Sequence, residues 1–95
     1  MINETVYLNS LYDYYGELLT ERQRNLFEAY YFENLTLQEI ADLNEISKNA
    51  VHKTLASIEE KLRYYEEKLS FYQKTEKIKE CIKDEAILKQ ILEIL

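Results

Sequence analysis

The stretch from Leu35 to Leu55, LTLQEIADLNEISKNAVHKTL, carries two helix-start signals eleven residues apart, at Thr36 and Ser47. Thr36 and Glu39 form a capping-box pattern: the Thr36 side chain accepts from the Glu39 backbone N–H, and the Glu39 carboxylate reaches back to the Thr36 N–H. Leu35 before the cap and Ile40 after it have the spacing of a hydrophobic staple. Ser47 is a second cap, with Ile46 and Val51 in the same arrangement around it. Eleven residues leave room for one short helix and a tight turn before the second helix starts. Ala41 is small enough for the two to cross closely. This pattern is that of a helix-turn-helix.

Little elsewhere in the 95 residues competes with helix. There is no Pro and a single glycine, Gly16, while Glu, Lys, Leu and Ile abound. The expectation is one all-α domain over residues 1–95. A leader helix spans 4–19, with Tyr7, Leu8, Leu11, Tyr15, Leu18 and Leu19 on its apolar stripe and Gly16 marking a close helix approach. The core spans 20–62. It opens with a capping box at Thr20 and Gln23, buries Leu26, Phe27, Tyr30 and Tyr31, and pauses at Asn34, a residue that tolerates left-handed backbone. The helix from Lys48 buries Val51, Leu55, Ile58 and Leu62 and extends into residues 63–95. Leu62 with Leu69, and Tyr65 with Tyr72, repeat at seven residues, as in a coiled-coil-like arm. Polar residues 73–83 are expected to hold a kink, Cys81 to be buried beside Ile78 and Ile82, and Asp84 to cap a last helix carrying Ile87, Leu88, Ile91, Leu92 and Leu95.

Net charge is −6 and the isoelectric point lies near 4.8, so on average the chain is repelled by phosphate backbones and anionic membranes. Nucleic-acid binding therefore needs a local basic face. The helix from Lys48 offers one: Lys48, Asn49, His52, Lys53 and Ser57 lie opposite its core stripe, with no acid between Ser47 and Ser57. Glu39, Asp42 and Glu45 precede this patch, and Glu59 and Glu60 follow it. His52 and Cys81 are the only His and Cys, too few for a metal site with the usual nitrogen and sulfur ligands. No glycine-rich phosphate loop occurs, and the carboxylates fall on exposed helix faces. The expectation is a protein with no catalytic residues, no cofactor, no metal and no small-molecule substrate. A lone cysteine, no run of about 18 apolar residues and no signal-peptide pattern point to a cytoplasmic protein with no membrane contact.

The segment LTERQRNLFEAYYFENLTLQEIADLNEISKNAVHKTLASIEEKL resembles region four of bacterial sigma-70-type factors, the last of their DNA-binding regions. The leading YLNSLYDYYGELLT and trailing YYEEKLSFYQKTEKIKE are similar to the YlxM family of small bacterial proteins, and that likeness covers nearly the whole chain. The resemblance implies a sigma-70 region-four-like helix-turn-helix core with an N-terminal helix and a C-terminal helical extension, in a DNA-binding regulator. It also implies a link to the signal recognition particle pathway, through the family's gene neighbourhood. The chain departs from the sigma pattern at two points. Asn44 and Glu45 stand where an apolar residue and Gly usually form the turn, so Asn44 is expected to take the left-handed position. Thr54, Ala56 and Ser57 stand where basic residues are usual.

Two readings follow. One is a DNA-binding regulator that places the Lys48–Ser57 face in the major groove. The alternative is a scaffold that binds a protein or RNA component of the signal recognition particle. The apolar termini pack either within one chain or between two. The excess of apolar stripe over a short core favours a homodimer, with Tyr7, Leu11, Tyr64, Tyr72 and Ile91 as its contacts.

Overall fold

The computed structural model describes residues 3–95. Among them are six α-helices and one 3-10 turn. Helix α1 (Glu4–Tyr15) starts where the Asn3 side chain accepts from the Thr5 N–H at 2.8 Å. A 3-10 turn (Gly16–Leu18) leads to α2 (Glu21–Tyr31), whose Thr20–Gln23 capping box is fully formed. Then come α3 (Leu37–Asn44), α4 (Lys48–Leu69), α5 (Phe71–Cys81) and α6 (Glu85–Ile94). The architecture is all-α.

The 22-residue α4, about 33 Å long, is the spine on which α1, α2 and α3 pack. Its Val51, Leu55, Ile58 and Leu62 are buried against Leu8, Leu11 and Tyr15 of α1, Leu26 and Phe27 of α2, and Ile40 and Ala41 of α3. The molecule is elongated, 50 × 25 × 24 Å. Its radius of gyration is 15.9 Å, against about 12 Å for a compact chain of this length.

The leader differs from one continuous helix over 4–19. Gly16 adopts ordinary right-handed backbone (φ −55°), and a Cβ there would sit 3.3 Å from the Tyr12 ring. The missing side chain makes room for a ring one turn back on the same helix, not for a neighbouring helix. That ring in turn stacks on Phe27, with centroids 4.5 Å apart and planes 6° from parallel.

Three tyrosine–glutamate hydrogen bonds close a triangle around this core. Tyr12 of α1 donates to Glu28 of α2 (2.9 Å), Tyr15 of α1 donates to Glu66 of α4 (2.6 Å), and Tyr31 of α2 donates to Glu59 of α4. Each pair of helices among α1, α2 and α4 is thus pinned once. Burial first, and then the carboxylate partner, push the Tyr12 and Tyr15 hydroxyls up to about 12 and raise Tyr31 in the same direction.

Glu66 does more than accept from Tyr15. Ser70 separates α4 from α5 with left-handed backbone (φ 57°, ψ 28°), and its side chain does not cap α5. The free N–H groups at the start of α5 are taken up by tertiary partners. Phe71 donates to the Tyr15 hydroxyl (3.1 Å), Tyr72 to Glu66 Oε1 (3.0 Å) and Gln73 to Glu66 Oε2 (3.1 Å). The break in the extension therefore falls at Ser70, ahead of the polar 73–83 stretch. That stretch is helical to Cys81 and breaks a second time at Ile82–Asp84. Asp84 caps α6 as expected, accepting from Ala86 and Ile87. Leu69 is 41% exposed, so the seven-residue repeat does not continue as a buried coiled-coil seam. Cys81 is exposed, contrary to expectation, because the inward stripe of α5 runs through Thr75, Ile78 and Ile82.

A phenol that holds its proton to about pH 12 when folded, but to about 10 when unfolded, contributes stability that is complete below pH 10. That stability is lost as pH rises from 10 towards 12. Urea unfolding followed by circular dichroism at stepped pH is expected to show this loss. Tyr15→Phe removes part of the alkaline dependence and, by leaving Glu66 and the Phe71 N–H short of a partner, costs about 1–3 kcal/mol at neutral pH. An unchanged stability at pH 7 would refute the role given to Tyr15.

Candidate nucleic-acid interface

The turn between α3 and α4 sets how the second helix is presented. Thr36 and Glu39 form both halves of their capping box, each at 3.0 Å. At the far end of α3 the left-handed residue is Glu45 (φ 55°), not Asn44. Ile46 explains the register: its N–H reaches back to Ala41 O at 3.1 Å, a Schellman closure that needs left-handed backbone at the residue just before it. Ile46 is packed against the core there. Asn44 remains helical, and its side-chain amide donates to Ile40 O at 2.8 Å. Ser47 then caps α4, accepting from the Ala50 N–H at 3.0 Å.

From that cap, α4 presents two faces. Val51, Leu55 and Ile58 are buried, while Lys48, Asn49, His52, Lys53 and Ser57 are all exposed, together with Ala56. Positions 48–49, 52–53 and 56–57 repeat every four residues and so share one side of the helix. The Lys48–Ser57 segment is about 15 Å long, and an α-helix, about 10–12 Å across with its side chains, matches the width of a major groove, about 12 Å. The first turn of α4 holds no acidic residue, so Lys48 and the positive end of the helix dipole act together. Thr54 is not available, since its hydroxyl donates to Ala50 O at 2.9 Å.

The acidic flank is partly occupied. Glu39 is held in its capping box, and Asp42 accepts from the Gln38 amide at 2.8 Å. Beside Lys48 lies a shallow cleft bordered by Thr5, Tyr30, Asn34 and Gln38, at the junction of α1, α2, α3 and α4. The sequence gives no direct sign of this cleft, because its walls come from four separate helices.

The expected dimer contacts scatter. Leu11 is wholly buried in the chain's own core, because the α1 stripe is absorbed by α4, so it offers nothing to a second copy. Tyr7 and Tyr72 meet each other edge to face within one chain, ring centroids 5.1 Å apart. Tyr64 is 54% exposed, with the Lys68 ammonium over its ring, and Ile91 is half-buried on α6. His52 and Cys81 lie on different helices, α4 and α5, and both are exposed.

A capped α3, a tight turn and a capped α4 with one face open to solvent define a helix-turn-helix protein. Comparison with known proteins names the family. Residues 2–94 match the UPF0122 family, described as "Putative helix-turn-helix protein, YlxM / p13 like", and the chain belongs to it. A UPF0122 protein of Caldanaerobacter subterraneus subsp. tengcongensis is 42% identical over 89 residues, covering 86% of this chain and 76% of the relative. One from Oceanobacillus iheyensis is 44% identical over 76 residues, covering 80% and 72% respectively. Another, from Ureaplasma parvum, is 38% identical over 95 positions and matches 97% of this chain and 96% of its own. No helix among the described residues is long and apolar enough to cross a membrane.

Ser47→Ala removes the α4 cap and is expected to cost about 0.5–2 kcal/mol. Glu45→Gly relieves left-handed strain and should raise stability by up to about 1 kcal/mol. Thermal unfolding of both variants checks the pair. A Glu45→Gly variant less stable than wild type would contradict the turn described.

Proposed function

We propose that the chain is a non-enzymatic DNA-binding regulator that docks the Lys48–Ser57 face of α4 in the major groove. The observation that carries this reading is the set of exposed, acid-free positions on α4, held by two caps and a left-handed turn. Lys48 and Lys53 supply phosphate contacts, and Asn49 and His52 are suited to base edges. Ser57 closes the face. Two copies would present two such helices to paired half-sites, and Tyr64 and the apolar face of α6 are surfaces open to a second chain.

A second reading has its own support. The chain carries net charge −6, and Ile87 and Ile94 of α6 and Leu95 just after it are 50%, 83% and 58% exposed. These features suit a scaffold that binds a protein or RNA component of the signal recognition particle better than they suit tight binding to a polyanion.

Fluorescence anisotropy with a labelled random duplex, at low and at physiological salt, separates the two. The DNA reading expects micromolar, salt-sensitive binding that is not displaced by signal recognition particle RNA. Lys48→Glu combined with Lys53→Glu should abolish it while leaving helicity intact. Lys53→Ala alone should lower the salt slope by about 0.9. Absence of duplex binding at low salt refutes the DNA reading.

A further inference from the structure

We infer that the α5–α6 arm is exchangeable between two copies of this chain, by straightening at Ser70 into one continuous α4–α5 helix. This deepens the two-copy reading above, and it rests on the hinge and its hydrogen bonds rather than on any exposed apolar face.

The helical bonding pattern already passes through the hinge. Ser70 N–H donates to Glu66 O at 2.8 Å and Lys74 N–H donates to Ser70 O at 2.9 Å, both in helical register. Only the N–H groups of Phe71, Tyr72 and Gln73 leave it, for the Tyr15 hydroxyl and the two Glu66 oxygens. In a straight helix the same three groups would donate to the carbonyls of Glu67, Lys68 and Leu69. At the hinge itself, three hydrogen bonds and one backbone angle separate the two forms. The angle favours the straight form, because Ser70 is neither Gly nor Asn and sits at φ 57°. No Pro or Gly stands between Lys48 and Cys81 to interrupt a helix of 34 residues, about 51 Å.

Straightening within a single chain would strip α5 from α1. The edge-to-face pair of Tyr7 and Tyr72, the Tyr15–Phe71 contact and the burial of Thr75 would all be lost. In a symmetric pair each α1 receives α5 from the other copy, and those contacts are remade between chains. Helix α6 travels with α5, against which it packs. Glu66 is the group that opposes exchange, since its cap on α5 exists only in the bent form.

The test compares the full-length wild type, Ser70→Ala, Ser70→Gly and Glu66→Gln, each refolded at millimolar concentration and sized by light scattering after chromatography. Ala favours helix and keeps the left-handed strain of the bent form, so Ser70→Ala is expected to raise the dimerisation constant about tenfold, as is Glu66→Gln. Ser70→Gly, which relaxes the hinge, should lower it about tenfold. A Cys81→Ser background carrying Ser10→Cys on α1 and Lys79→Cys on α5, which border one small cleft, is then treated with a short bismaleimide. Dimers linked between chains establish exchange. Dimers whose crosslinks stay within a chain overturn exchange and leave the two-copy reading standing. Monomers throughout, Ser70→Ala included, overturn both.

Discussion

Glu66 occupies the last core position on the α4 spine, where an apolar residue would continue the stripe of Val51, Leu55, Ile58 and Leu62. Its side chain has little access to solvent, so an unpartnered carboxylate there would be strongly destabilising. It is instead met by three donors: the Tyr15 hydroxyl and the N–H groups of Tyr72 and Gln73. That arrangement turns the end of one helix into the start of another. It also ties both to α1, so the direction of the whole C-terminal arm depends on one carboxylate.

The other two tyrosine–glutamate contacts extend the same solution. A tyrosine contributes a large apolar ring to a core that a short chain can fill only modestly. Its hydroxyl must then find a partner, and a neighbouring helix supplies a glutamate reaching in from the edge. Tyr12, Tyr15 and Tyr31 thereby combine core packing with directional pinning of α1, α2 and α4. The helix-turn-helix stands on that frame, and α3, only eight residues long, leans on α4.

Local signals were the most legible part of the sequence. Thr20, Thr36, Ser47 and Asp84 all cap where their spacing places them, because a cap needs only residues within one turn of itself. The exposed positions of α4 follow from the period of its buried ones. Features set by distant partners were not legible in the same way. Glu45 rather than Asn44 takes the left-handed position because Ile46 must reach the core. Cys81 turns outward because α5 has a different inward stripe from the one assumed. The burial of Leu11 depends on how much of α1 the spine covers, which no local pattern reports. Glu66 could have been suspected, since it sits four residues after Leu62 on the buried stripe of α4.

The charges that flank the exposed face of α4 have a consequence for how the chain would meet a polyanion. Residues 1–47 hold two arginines against nine carboxylates, a net of −7, whereas residues 48–63 hold four cations against two carboxylates, a net of +2. A duplex approaching from most directions is repelled, and the short basic segment of α4 gives it one favourable orientation. Added salt weakens the attraction at that segment, but it also screens the repulsion from the rest of the molecule. On the proposed DNA-binding reading, this charge distribution would act as an orientation filter: encounters would be fewer than with a basic protein, and a larger fraction of them would begin with α4 facing the duplex.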